Sequence, residues 1–430
     1  MVLVGLYFVL LVCLSVYGVH RTVLLYFYMV GRCRLRPQTS SKSVPACSHV
    51  PWITVQIPIF NERFVVERVI DAVAKLRYPD GRLEVQVLDD STDETSRIAR
   101  ASVRQWRARG VSISYYHRKS REGFKAGALA EGLLNANGEL VAIFDADFLP
   151  ACDFLERTIG AFNDPRVGMV QARWEHSNRE HSLLTRLQAL MLDAHFVLEH
   201  GGRYRSGCFF NFNGTAGVWR RVAIESVGGW HNDTLTEDLD LSYRAQLAGW
   251  RFVFLAEVVA PAELPIDMTA FKSQQHRWAK GSIQTCVKLL PAIMRARLPL
   301  RVKVEAFFHL TANFNYLLLL PLCVLIVPAL FVRSQLTDPD VLLFLDIPLF
   351  CAAMLSVTNF YVASQRALSQ CWWRRIRDIP ALFAVSLGLA INNVVAVLEA
   401  LSSRTGEFRR TPKYGVISES LRAWRRRTNG

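Results

Sequence analysis

The sequence lacks the motifs of several common protein classes. Its nine cysteines are scattered, with no C-x-x-C pair and no cluster of cysteine and histidine. This argues against a disulfide framework and a zinc site, and it predicts buried free thiols in a reducing compartment. No G-x-G-x-x-G follows the first predicted strand and no Walker lysine is present, which disfavours dinucleotide-binding and P-loop proteins.

Acidic residues are fewer than basic residues in this sequence. The 430 residues include 51 Lys and Arg against 37 Asp and Glu, a net charge of +14. Nucleic-acid binding would fit that charge, but many basic residues lie beside apolar runs or in the tail, at Arg32, Arg34, Arg36, Arg374, Arg375, Arg377, Arg409, Arg410 and residues 425–427. This is the positive-inside pattern of membrane proteins, so we expect membrane lipids as partners and no nucleic acid.

Charge is also absent from long stretches of the chain. The uncharged or nearly uncharged runs are residues 3–19 (resuming to residue 30), 307–332, 341–364 and 379–398. Each approaches or exceeds the roughly 20 residues that cross a bilayer. The first run has no charged flank before it and no clear cleavage site, so it is predicted to be a retained membrane helix and not a secretory signal.

Strands and helices alternate after the first apolar run. Strands are predicted at residues 52–57, 84–88, 112–116 and 140–144, and helices at residues 61–76, 91–109 and 124–135. This alternation predicts an α/β fold with a doubly wound, mostly parallel sheet. Ligands of such sheets bind beyond the carboxyl ends of the strands.

Polar side chains follow three of these strands closely. They are Asn61, Glu62, Asp89, Asp90, Asp145 and Asp147. On an extended segment Asp145 and Asp147 point to the same side, where two carboxylates can hold Mg²⁺ or Mn²⁺. An acidic turn is the alternative there. At Asp89 and Asp90 the alternative is a helix N-terminus, capped by Ser91 or Thr92.

The tripeptide Thr236, Glu237 and Asp238 precedes a helical pattern. A carboxylate at a helix start is stabilised as the anion, whereas burial and a nearby diphosphate raise its pKa. A glycosyl transfer with inversion needs one base that takes a proton from the acceptor hydroxyl. Asp238 is the candidate for that base, and simple helix capping is the alternative.

Two further patterns suit a phosphorylated sugar. In QQHRW, Gln274, Arg277 and Trp278 share one helix face, with a guanidinium suited to a diphosphate and an indole suited to a sugar ring. An amphipathic helix with a snorkelling arginine is the alternative. Lys125 lies between two glycines at a predicted helix start, where it could meet a phosphate or be a surface lysine.

Eight motifs occur in a fixed order along the chain. They are IPIFNE (57–62), QVLDDSTD (86–93), FKAGAL (124–129), VAIFDADF (141–148), VQARW (170–174), FNGTAGVWR (212–220), TEDLDL (236–241) and QQHRW (274–278). Together they resemble the family 2 inverting glycosyltransferases, most closely the cellulose-synthase-like group with glucomannan (β-mannan) synthases and their bacterial relatives. The resemblance covers residues 52 to about 290. It implies a cytosolic GT-A domain, a nucleotide-sugar donor and a divalent metal.

The resemblance also implies residue roles. Asp89 or Asp90 would contact the nucleoside, Asp145 and Asp147 the metal and donor, and Asp238 would be the base. The other implied substrate-binding residues are Glu62, Lys125, Gln274, Arg277 and Trp278, and the implied acceptor-site residues are Asn213, Gly214, Thr215, Glu237 and again Trp278.

GEFRRTPKYG at residues 406–415 resembles the gating loop of these synthases, in which Thr411 and Lys413 would close over the nucleotide. Many relatives continue into further membrane helices, whereas this chain ends at Gly430. Three membrane helices after the catalytic domain would place the motif outside. We therefore expect residues 379–398 to be interfacial or re-entrant, bent near Asn392 and Asn393, with truncation of the chain as the alternative.

These observations predict six segments. They are a membrane helix with a basic flank (1–36), a linker (37–51), a GT-A domain (52–264), amphipathic interface helices (265–305), membrane helices (306–403) and a basic tail (404–430). The predicted activity is hexose transfer from GDP-mannose or UDP-glucose to a β-linked cell-wall polysaccharide. A single transfer to a lipid acceptor and an inactive scaffold are the alternatives. A bacterial inner membrane is favoured over a Golgi membrane.

Overall fold

The computed structural model describes residues 2–34, 50–336, 339–402 and 410–416. The chain divides into two compact units. A helical unit comprises Met1–Leu35, Leu190–Cys208 and Lys272–Gly406, and a sheet unit comprises Arg36–Ala189, Phe209–Phe271 and Glu407–Gly430.

The sheet unit contains one seven-stranded mixed sheet with the order β3-β2-β1-β4-β6-β5-β7. The strands are β1 (Ile53–Ile59), β2 (Leu83–Asp89), β3 (Ile113–His117), β4 (Leu140–Ile143), β5 (Val167–His176), β6 (Gly217–Arg220) and β7 (Arg251–Ala262). Strand β6 is antiparallel to β4 and β5, and the other pairings are parallel. The predicted mostly parallel α/β sheet is confirmed.

Helices cover the sheet and form most of the helical unit. They are α1 (Val2–Arg34), α2 (Val66–Ala74), α3 (Thr95–Ala108), α4 (Phe124–Leu134), α5 (Phe154–Thr158), α6 (Leu183–Ala194), α7 (Gly201–Ser206), α8 (Arg221–Glu225), α9 (Glu237–Leu247), α10 (Met268–Arg295), α11 (Leu300–Thr311), α12 (Asn315–Leu336), α13 (Pro339–Leu368), α14 (Trp372–Arg375), α15 (Ile379–Gly388) and α16 (Ala390–Leu401).

Strand β1 is buried between β2 and β4 in the sheet. Its apolar side chains Val55 and Ile57 are fully buried, in one cluster with the apolar face of α2. Gln56 is also fully buried and donates a hydrogen bond of 3.0 Å to Gln86 on β2. Burial on both faces is typical of a parallel strand, and it fixes the strand ends that carry the polar residues.

Two helix starts differ from the prediction. Helix α2 begins at Val66 and not at Asn61, because Asn61 adopts a left-handed conformation with φ of 54° that does not fit a right-handed helix. Helix α3 begins at Thr95 and not at Ser91. The Ser91 hydroxyl accepts the backbone N–H of Asn61 at 2.8 Å, so the prediction that Ser91 or Thr92 caps α3 is wrong.

The helical unit contains helices long and apolar enough to cross a membrane. Three qualify among the described residues, at Val2–Gly31, Leu300–Gln335 and Phe344–Leu368. A fourth candidate, Trp372–Gly388 with Ala390–Leu401, is bent by 45°. The predicted bend is therefore present, but it lies at Leu389, between α15 and α16, and not at the two asparagines.

Seven cysteines lie in the described part of the chain, and all are free. Cys208 and Cys286 are buried, whereas Cys323 and Cys371 are exposed on the helical unit. The prediction of free thiols is confirmed for these seven, but burial is not general.

Candidate active site

The acids that follow β4 are held by lysines from two directions. The Lys125 ammonium, near the start of α4, contacts Asp145 Oδ1 at 2.5 Å and donates to the Gly214 carbonyl at 2.8 Å. The Thr215 hydroxyl accepts the backbone N–H of Asp145 at 2.9 Å. Helix α4 can begin here because Gly123 before it has φ of +69°, which favours glycine.

Asp147 contacts a different lysine. Its Oδ2 lies 2.7 Å from Lys413 Nζ, and both side chains are about nine-tenths buried. Lys413 also donates to the Glu263 carbonyl. Three residues earlier, Arg410 contacts Glu62 at 2.8 Å. The described part of the tail thus brings two cations to the two acids that follow β1 and β4.

Burial raises the pKa of Glu62, Arg410 lowers it and Asp147 raises it, with a net value of about 8. Sequence reasoning placed Glu62 near the substrate but did not find this pairing. Arg410 stood out only as one of the basic residues of the tail, and no spacing in the sequence links it to Glu62.

Asp238 lies in the first turn of α9, beside Lys125 and Gly214. A Cβ on Gly214 would be 3.1 Å from Asp238 Oδ2 and 3.3 Å from Lys125 Nζ, and Gly214 has φ of +80°. A larger residue would therefore fill the space between the acid and the amine. The structure brings the predicted base, Lys125 and Gly214 into one cluster. Gly214 belongs to residues 213–215, which the resemblance assigns to the acceptor site and which we call the acceptor loop.

The Asp238 side chain keeps a partly exposed surface, but the protein around it removes most of its water. This desolvation and the charge of Glu237 raise the pKa of Asp238 and Lys125 lowers it, with a net value of about 7. Burial lowers the pKa of Lys125, but Asp145, Glu237 and Asp238 outweigh that effect and raise it. A carboxylate whose pKa lies near neutrality is suited to general-base work.

The two acids at the end of β2, Asp89 and Asp90, already have partners within the protein. Asp89 is fully buried and accepts the Ser91 backbone N–H at 2.8 Å, the Ser96 hydroxyl at 2.6 Å and the Tyr115 hydroxyl. Asp90 is held in a bidentate pair by Arg118, at 2.7 and 2.5 Å. Asp89 therefore stabilises the loop, and the predicted nucleoside contact of one of these acids stays a prediction.

The acceptor loop rests on a residue that sequence reasoning did not single out. Gln171 on β5 is fully buried, and its amide donates to the carbonyls of Thr215 and Ala216 at 3.1 and 3.2 Å. Its carbonyl accepts the Asn213 backbone N–H at 3.0 Å. Its place in the VQARW motif, as a polar residue within an apolar run, was the signal that could have found it.

One group of three side chains with metal-ligand chemistry lies elsewhere in the described residues. His231, Asp233 and Asp240 have ligand atoms within 4.8 Å of one another. Arg244 already contacts Asp240 at 2.7 Å, and His231 lies 3.7 Å from the same carboxylate. An ion pair thus accounts for Asp240, and the group was not predicted.

Gln274, Arg277 and Trp278 lie on α10 and are half-buried. This part of α10 belongs to the helical unit, where the buried Lys280 contacts Glu399 on α16 at 2.9 Å. The predicted helical spacing is confirmed. Their roles at the diphosphate and the acceptor stay predictions.

Residues 51–281, more than half of the chain, match the family described as "Glycosyltransferase like family 2". The chain belongs to this family. Glucomannan 4-beta-mannosyltransferase 1 of Cyamopsis tetragonoloba is 37% identical over 386 residues, 85% of this chain and 69% of that protein. The protein of the same name from Oryza sativa subsp. japonica is 44% identical over 272 residues, 62% of this chain. The match spans 52% of the rice protein, so the chain covers about half its length.

A solved structure supports the fold. The mannosyltransferase PcManGT from Pyrobaculum calidifontis, in complex with GDP-Man and Mn²⁺, has a TM-score of 0.61 and 22% identity, covering 93% of this chain and all of that one. The predicted GT-A fold and the resemblance to the glucomannan synthases are confirmed.

Proposed function

We propose that the protein is a membrane-bound inverting glycosyltransferase that moves a hexose from a nucleotide-sugar to a growing β-linked polysaccharide. The observation that carries the proposal is the Asp238 cluster: a carboxylate with a pKa of about 7 beside the acceptor-loop glycine and a lysine. The names of the relatives favour mannose as the sugar and glucomannan as the product. GDP-mannose is therefore the preferred donor and UDP-glucose the second candidate.

In this proposal Asp238 takes the proton from the acceptor hydroxyl as that oxygen attacks the anomeric carbon. Its pKa leaves it about half ionised at neutral pH. Gly214 leaves room in front of the carboxylate, and Asn213, Thr215 and Glu237 line the acceptor side. Lys125 holds the acceptor loop through the Gly214 carbonyl and keeps Asp145 in place.

Asp145 and Asp147 fit a divalent cation. Both offer the hard carboxylate oxygens that such a cation prefers. Each carboxylate is paired with an ammonium group, of Lys125 or Lys413, so a bound cation would have to share or displace these lysines. When bound, Mg²⁺ or Mn²⁺ would neutralise the diphosphate that leaves. The complex of PcManGT contains Mn²⁺, although that likeness carries the fold alone.

The remaining binding roles follow from the family resemblance. Glu62 and one of Asp89 and Asp90 belong to the nucleoside side, and Thr411 and Lys413 to the segment that closes over the nucleotide. Gln274 and Arg277 would hold the diphosphate, and Trp278 the acceptor end. Lys413 supports this by its contact with Asp147, a proposed metal ligand.

The apolar helices support a location in a membrane, with the sheet unit proposed to be cytosolic. The relatives named above are plant proteins, which favours a Golgi membrane and gives no support to the bacterial inner membrane that we preferred from the sequence. The proposed six-segment division assigns residues 52–264 to catalysis, 265–305 to the interface and 306–403 to the membrane.

Product size tests the proposal against its nearest alternative. Purified protein is incubated with radiolabelled GDP-mannose or UDP-glucose, and the products are separated by length before linkage analysis. A ladder of β-linked hexose oligomers is expected. A single labelled lipid would favour single addition, and no transfer from either donor would favour a scaffold.

A further inference from the structure

We propose that the ion pair of Glu263 and Arg68 is a docking site for the main chain of residues 413–415. We call it the Glu263–Arg68 clamp. Glu263 directly follows β7 and Arg68 lies on α2, so two distant parts of the sheet unit form it. Its function would be to set how far Lys413 reaches toward Asp147.

The clamp contacts the tail backbone on both sides. Glu263 Oε1 accepts the backbone N–H of Tyr414 at 2.8 Å, and its Oε2 lies 3.4 Å from Arg68 Nη2. Arg68 Nη1 donates to the carbonyl of Gly415 at 3.3 Å. Both clamp side chains thus contact each other and bind the tail through its peptide groups.

Burial makes these contacts costly to lose. The Glu263 side chain is 1% exposed and that of Arg68 14%. A buried carboxylate needs partners for its charge, and removing one partner of a buried pair leaves the other uncompensated. The Tyr414 side chain is in contrast 47% exposed, so its backbone is the part that the clamp holds.

Glycine is required next to the clamp. Gly415 has φ of +77°, and a Cβ there would lie 3.0 Å from the Phe64 carbonyl oxygen. The main chain can pass close to Phe64, which lies just before α2, only without a side chain at this position. The clamp contacts and the need for glycine at position 415 are two independent constraints on the path of the main chain at residues 413–415.

The path of the backbone decides where Lys413 lies. Its ammonium donates to the Glu263 carbonyl and contacts Asp147 Oδ2 at 2.7 Å. Because the clamp holds the main chain of Tyr414 and Gly415, it also sets the position of Lys413, the residue before them. Glu263 and Arg68 are therefore positioning residues for the proposed nucleotide site, and only this last step rests on the proposed function.

Limited trypsin digestion of the full-length protein without nucleotide tests the clamp. Cleavage after Lys413 is followed by mass spectrometry in the wild type, Glu263→Ala, Glu263→Gln and Gly415→Ala. Glu156→Gln is the control, since it breaks the exposed pair with Arg77 in the same unit. Thermal unfolding of each variant checks that it is folded.

We expect Glu263→Ala and Gly415→Ala to be cleaved roughly tenfold faster, about 1.4 kcal/mol of lost docking, because cleavage tracks the open population. Glu263→Gln should be intermediate, since an amide oxygen still accepts the Tyr414 N–H. Wild-type cleavage rates in both alanine variants overturn the proposal. If Glu263→Ala does not fold, Gly415→Ala alone decides.

A second measurement separates the clamp from the proposed activity. In transfer assays the clamp variants should raise the KM for the donor at least roughly fivefold, while kcat falls less, because Lys413 is displaced and Asp238 is untouched. If the clamp variants are cleaved faster but neither they nor the wild type transfer sugar, the clamp proposal stands and the proposed transferase activity is refuted. Transfer with unchanged donor KM in variants that are cleaved faster would overturn the link from the clamp to the nucleotide site.

Discussion

Replacing Asp238 with asparagine removes the proposed base while keeping the shape of the side chain. General-base catalysis contributes roughly 10²- to 10⁴-fold, so kcat/KM should fall by about that factor. Binding of the nucleotide-sugar should change little, because the base acts on the acceptor. Donor binding is measured by calorimetry and transfer by radiolabel in the same preparations.

The pH dependence gives the sharper part of this prediction. The base must be ionised, and desolvation raises the pKa of Asp238 to about 7. Wild-type kcat/KM should therefore be about half-maximal at pH 7 and about a tenth of maximal at pH 6. Lys125 lowers this pKa, so Lys125→Met should move the fall of kcat/KM on the acid side of the profile, the acid limb, to higher pH.

The residual activity of Asp238→Asn should lack this limb. A wild-type profile that is flat between pH 5.5 and 8, or a limb of the same midpoint in Asp238→Asn, would show that another group is the base. Loss of donor binding in the asparagine variant would place Asp238 on the donor instead.

Three further predictions concern the other charged groups. EDTA should stop transfer and Mg²⁺ or Mn²⁺ restore it if Asp145 and Asp147 hold a cation; full activity in chelator would make them structural. Arg277→Ala should lower kcat by roughly 10²-fold or more, and Arg277→Lys should rescue it poorly. Trp278→Ala should impair use of the acceptor and leave donor hydrolysis detectable. Equal loss of hydrolysis and transfer in Trp278→Ala would contradict its acceptor role. The pKa of Glu62 is raised to about 8 from an ordinary 4.5, so its protonation stabilises the fold fully below about pH 4.5, and this contribution is lost as pH rises through about 8. Tm should therefore fall less with rising pH in Glu62→Gln than in the wild type. Parallel curves of Tm against pH would refute this prediction.

The sequence predicted the parts of the site that depend on local pattern. Apolar β-branched runs located β1, β2 and β4, and the acids after them therefore fell at one edge of the sheet. The helix after Thr236 followed from its own periodicity. The two helix starts failed because Asn61 and Ser91 bond each other across the loop, a competition that residue type alone does not reveal.

Contacts between distant segments could not be predicted in this way. The phosphate contact of Lys125 stays a prediction, and its pairing with Asp145, twenty residues later in the chain, could not be predicted from the sequence. Arg118 on Asp90 and Gln171 under the acceptor loop are likewise tertiary contacts. The antiparallel β6 is four residues long, too short for a periodicity to show.

Transfer by the purified full-length protein and by Asp238→Asn, each supplied with radiolabelled GDP-mannose and a mannan oligomer, tests the central claim most directly. The account predicts labelled β-linked oligomers from the wild type and at least roughly a hundredfold less from the variant, which still binds the donor. Equal transfer by both proteins, or none by the wild type with GDP-mannose or UDP-glucose, would contradict it.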